Sequence, residues 1–134
     1  MKRLIAMASS ALLLPLVVSC GAREAAVVGA GAAAAAAIVY DDRGANTKVT
    51  ASVTATANAT EAAFRELGIQ LTERKNEEDG IELKGAQDDW KIVVDIERDA
   101  GDTLTEVEVT VSKDQVNYSK DRAERILRAI MQRT

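Results

Sequence analysis

Few side chains in this chain are equipped for chemistry. Its 134 residues hold no histidine and one cysteine, Cys20. One cysteine has no partner for an intrachain disulfide, and it argues against a cysteine-based metal site. Cys20 has an aliphatic residue three positions upstream and a small one just before it, in Val17-Val18-Ser19-Cys20-Gly21. A lone thiol is a reactive group unless some chemistry consumes it. The other candidates are carboxylates. Glu77-Glu78-Asp79 and Asp88-Asp89 offer oxygen ligands to a divalent cation, but neither has the spacing of a dedicated calcium loop, and acidic turns are ordinarily just solvated. Gly29-Ala30-Gly31 lacks the third glycine and the preceding strand of a dinucleotide fingerprint. No catalytic, cofactor or metal residue is assigned, and an enzyme is the weakest reading.

The elements around Cys20 give it a context. Lys2 and Arg3 open a short positive region, and Leu4 to Val18 is apolar apart from Ser9 and Ser10. These are the parts of an export signal, and the run is only about as long as the shortest true membrane span. Val17-Val18-Ser19-Cys20 resembles the lipobox of bacterial lipoproteins. That resemblance implies cleavage before Cys20, with Val17, Val18 and Ser19 read by the peptidase, and acyl chains on Cys20. An ordinary secreted protein, or a span with a chance cysteine, is the alternative. Two or three acyl chains anchor stably where one is marginal.

Cleavage would remove Lys2 and Arg3 and no acid, taking the net charge from −4 to −6. Such acidity argues against nucleic acid, whose phosphates demand a basic surface. It also leaves membrane attachment to the acyl chains rather than to a polybasic patch. After Cys20, Ala25 to Tyr40 carries no charge. As a helix it would reach roughly 24 Å, short of a hydrocarbon core of roughly 30 Å. Three readings stand: a low-complexity tether, shallow insertion beside the lipid, or a self-association surface through Gly29, Gly31 and Ala33, whose small size lets helices approach. Asp41 to Asn46 is polar turn chemistry and marks a boundary. The expected organisation is a signal peptide at 1–19, a lipidated cysteine plus Ala/Gly-rich tether at 20–45, and a small domain at 46–134.

From Thr47 the apolar period becomes two, with Val49, Ala51 and Val53 on one face and Lys48, Thr50, Ser52 and Thr54 on the other. A helix is expected to start within 54–58, where Thr54, Thr56 and Asn58 can cap, and to stop at Gly68. Phe64 is its expected knob against a sheet. Ile69 to Lys75 reads as a second strand with Ile69 and Leu71 inward, and Ile81 to Lys84 as a short third closed by Gly85. Trp90 to Arg98 and Thr103 to Val111 alternate most cleanly, placing Ile92, Val94, Ile96, Val107, Val109 and Val111 inward and Asp95, Glu97, Glu106 and Glu108 outward. They predict an antiparallel hairpin with one wet face. Those carboxylates, with Glu82, are expected to keep the sheet soluble. Trp90 is expected to cover the core, while Arg122, Arg125 and Arg128 lie on or beside the exposed side of the last helix. Tyr118 to Gln132 is that helix, with a stripe of Ala123, Ile126, Leu127, Ile130 and Met131. The order β-α-β-β-β-β-α predicts an α+β domain: an antiparallel four- to five-stranded sheet with two helices on one face.

The whole arrangement is similar to a family of small bacterial lipoproteins known as domain of unknown function 3568. The residues carrying the likeness are the lipobox cysteine, Val27-Val28-Gly29-Ala30-Gly31-Ala32, a Thr/Val strand running into an alanine-containing helix, Arg65-Glu66-Leu67-Gly68-Ile69, and Ile126-Leu127-Arg128-Ala129-Ile130. One departure is Ala57, where such helices carry a larger aromatic. The resemblance brings no activity and no catalytic residues. The expectation is a membrane-anchored, non-catalytic binding or scaffold module of the cell envelope, with an envelope protein as partner. A self-associating or membrane-active lipoprotein working through the Ala/Gly tract is the alternative. Gly21, rather than aspartate, after the cysteine resembles the enteric pattern for sorting to the outer membrane, facing the periplasm.

Overall fold

The computed structural model describes residues 37–99, 101 and 103–134. The elements run β1 (Val39–Tyr40), β2 (Gly44–Val49), α1 (Val53–Leu67), β3 (Gln70–Asn76), β4 (Gly80–Gln87), β5 (Trp90–Arg98), β6 (Thr105–Ser112) and α2 (Lys120–Met131). The alternation in β5 and β6 does what it predicts. Ile92 sits opposite Val111, Val94 opposite Val109 and Ile96 opposite Val107, all six on the core side and at most 1% exposed. Burying each such side chain is worth about 1.5–3 kcal/mol relative to leaving it in water. β4 adds Ile81 and Leu83 to that face, and β2 adds Ala45, Thr47 and Val49.

The strands form one antiparallel sheet in the spatial order β1-β2-β6-β5-β4-β3. α2 packs over β2 and β6 and α1 over β4 and β5, and the two helices touch each other. This is the expected α+β layering, but the sheet has six strands rather than four or five. The additional strand is β1, two residues long and too short to show any period. Val39 pairs with Asn46 and Tyr40 with Ala45, and Ile38 packs on the core. β1 and the first residues of β2 therefore lie inside the stretch 20–45 that composition groups with the tether.

α1 starts earlier than the capping residues at 54–58 suggest. Ser52 is the N-cap, its Oγ accepting from the Ala55 N–H at 3.1 Å. Alternation through Ala51 and Val53 therefore ends in a helix start, not in more strand. Thr56 and Thr60 lie inside the helix and donate their hydroxyls back to Ser52 O and Thr56 O, so both stay bonded while fully buried. Gly68 ends the helix at φ 70°, a left-handed conformation that costs glycine little.

Phe64 is 1% exposed and meets β4 at Gly85. A Cβ at Gly85 would lie 2.8 Å from the Phe64 ring and 2.6 Å from Ile69 Cγ2. Gly85 is thus the hole for this knob and lies within β4, not at its end. Leu71 also departs from expectation. It is 39% exposed although the register sets it opposite Gly85 on the helix side, because it lies on the edge strand β3, every residue of which is exposed. α2 is capped by Ser119 and buries Ala123, Ile126, Leu127, Ala129 and Ile130, with Met131 packed at the margin.

Candidate interaction face

Residues that alternate outward on β4, β5 and β6 meet on the sheet face opposite the helices. The register sets Glu82 opposite Asp95 and Asp95 opposite Glu108, one row across three strands. The next row sets Glu97 opposite Glu106, which lies opposite Lys48. Directly opposed side chains in a sheet stand about 4.5–5.5 Å apart at Cβ, and like charges there destabilise. Lys84 offsets part of this, bridging Glu73 and Glu82 at 3.1 Å each, and Lys48 pairs with Asp99. Asp95 is half-buried in the middle of the acidic row. Burial, reinforced by Glu82, Glu108 and Glu97, pushes its carboxyl up to about 6. Glu108 is also raised, by burial first and then by Asp41 and Glu106, with Arg43 opposing.

The two acidic turns sit at opposite ends of β4, and only the first reaches toward this face, where Glu77 pairs with Lys75 at 2.7 Å and adds to the charge that raises Asp95. Glu77-Glu78-Asp79 precedes β4 and Asp88-Asp89 follows it. The first lines an open cleft of about 350 Å³ with Val53, Thr54 and Arg98. In the second, Asp89 pairs with Lys113 at 2.6 Å, which holds its carboxyl below the usual range, and Asp88 takes φ 54°. Among the described residues, no group of three or more carboxylate or cysteine side chains is arranged to hold a metal ion. Trp90 is half-buried against the core as expected, with the Arg122 guanidinium 4.9 Å from its ring centroid. Arg128 is tied to Glu124 at 2.6 Å, and Arg125 is exposed. Cys20, with Val17, Val18 and Ser19, and the proposed association residues Gly29, Gly31 and Ala33 lie outside the described residues.

The described surface therefore presents an acidic strip on the open face of the sheet, with lysines at its margins. The sequence shows which residues point outward. It does not show that Glu82, Asp95 and Glu108 are neighbours, because register depends on turn lengths and on the partner strand. The midpoint position of an acid on each of three consecutive strands was the available signal.

No curated protein matches the chain significantly. A family model described as "Protein of unknown function (DUF3568)" matches residues 2–132. That span takes in Cys20, the apolar run before it and every described element of the fold, and the chain belongs to the DUF3568 family.

Proposed function

We propose that the protein is a lipid-anchored lipoprotein of the bacterial cell envelope, whose α+β domain serves as a non-catalytic binding or scaffold module. The observation that carries this reading is Val17-Val18-Ser19-Cys20 at the end of an apolar leader, in a chain with no other cysteine. Acyl chains on Cys20 hold the protein to the membrane, with Gly21 directing it to the outer membrane and the domain facing the periplasm. The acidic sheet face is then the surface presented to an envelope protein. The alternative, self-association through Gly29, Gly31 and Ala33, is favoured by their small-residue spacing alone.

Fractionation of cells carrying Cys20→Ala tests the anchor. The wild type is expected in the membrane pellet and resistant to high salt. The variant is expected uncleaved, its mass increased by the leader. Identical processing and release of the two proteins would end the reading. Deleting residues 25–36, which spares β1, separates the two functional classes. Unchanged oligomer size in detergent after this deletion excludes the alternative.

A further inference from the structure

The sheet has two unequal edges. One is β1, of two residues, and the other is β3, of seven, every one exposed. Among the described residues β3 pairs with β4 on one side, so peptide groups along its other side face away from the sheet. A free edge is a template for another strand unless its side chains forbid the pairing. Here the charges forbid most partners and fit one. Glu73 lies opposite Lys84 and Lys75 opposite Glu82, placing both on the open face; Arg74 lies opposite Leu83, on the helix side, and pairs with Glu61.

We propose that β3 is the surface through which two copies of this chain join, as an antiparallel pair about a two-fold axis passing between their Arg74 residues, normal to the sheet. In that register Glu73 of each copy faces Lys75 of the other, giving two opposite-charge pairs on the open face. Arg74 faces Arg74 of the second copy, each already bound to Glu61, so the four charges cancel. Moving the axis by one residue sets Glu73 against itself in one direction and Lys75 against itself in the other. The sequence Glu73-Arg74-Lys75 is therefore self-complementary in one two-fold register and self-repelling in both neighbours.

The bonds of Glu73 to Lys84 and of Lys75 to Glu77 persist, and the new pairs extend a charge ladder that already crosses the sheet. The bulge at Leu71–Glu73 and the turn after Asn76 confine the contact to a short regular segment. A short contact makes a weak dimer, and the two-residue β1 edge cannot repeat it, so assembly closes at two copies. The axis normal to the sheet keeps both helix layers on one side. Confinement to a membrane raises the effective concentration of such a weak pair. This last point rests on the lipid anchor; the β3 contact itself does not.

Sedimentation of the purified full chain in mild detergent, over a concentration series, tests the pairing. The variants are Glu73→Lys, Lys75→Glu, the double variant, and an equal mixture of the two single variants. The wild type is expected to dimerise, and each single variant to weaken dimerisation by about tenfold or more, since two attractive pairs become repulsive. The double variant and the mixture are expected to regain the wild-type association. Recovery in the mixture also shows that both single variants are folded. A wild type that stays monomeric throughout, or single variants that dimerise like it, overturns the proposal. Association lost on deleting residues 25–36 but unaffected by the charge changes also overturns it, assigning the contact to the Ala/Gly tract. A chain without acyl groups that shows the predicted charge pattern would remove the anchor and leave the β3 pairing standing.

Discussion

Replacing Asp95 with asparagine should stabilise this domain near neutral pH and do almost nothing in acid. Asp95 sits between Glu82 and Glu108 in the acidic row, and its carboxyl is pushed from 3.8 to about 6, by burial first and by those neighbours second. A folded-state value above the unfolded one means that folding disfavours the charged form. The contribution from this group is therefore fully present below about pH 4 and lost as pH rises through about 6. At 1.36 kcal/mol per unit the shift sets a ceiling of about 3 kcal/mol. Solvent screening on a half-open sheet face reduces the expected gain from Asp95→Asn to about 1–2 kcal/mol at pH 7.5. In a domain of this size that raises Tm by roughly 5–10 °C. Urea and thermal unfolding followed through Trp90, the single tryptophan, and by far-UV circular dichroism at pH 4 and 7.5 measure it. Equal effects at the two pH values, or destabilisation at pH 7.5, would refute the reasoning.

Three further substitutions probe the packing and the turns. Gly85→Ala should destabilise by about 1–3 kcal/mol, because its Cβ would meet the Phe64 ring and Ile69; adding Phe64→Leu should recover part of that loss in urea melts. Asp88→Gly should stabilise by about 0.5–1 kcal/mol, since Asp88 holds a positive φ of 54° in the β4–β5 turn and glycine takes it without strain; a lower urea midpoint would contradict this. Ser52→Ala should cost about 1 kcal/mol by removing the acceptor for the Ala55 N–H. Thr54→Ala, outside that bond, serves as its control.

The part of the fold that could be read from sequence is the part governed by period. Val107, Val109 and Val111 against Ile92, Val94 and Ile96 needed only alternation, and the stripe on α2 needed only helical spacing. What could not be read depends on contacts distant in the chain. β1 exists because Val39 and Tyr40 find Asn46 and Ala45, and no two-residue strand carries a pattern. Gly85 looked like a terminator, since nothing local says that Phe64, far away in sequence, fills the space above it. Ser52 looked like the outer face of a strand, because alternation and a helix N-cap both place a small polar residue there. The acidic row is half legible: alternation puts each carboxylate on the outer face, while the proximity that raises Asp95 comes from register.

The claim on which the functional account depends is the chemistry at Cys20. Intact mass of the membrane-extracted protein, with a tryptic map of its N-terminus, measures it directly. The account predicts a chain beginning at Cys20 and carrying acyl groups. A chain that retains Met1, or begins elsewhere with a free thiol, would contradict it.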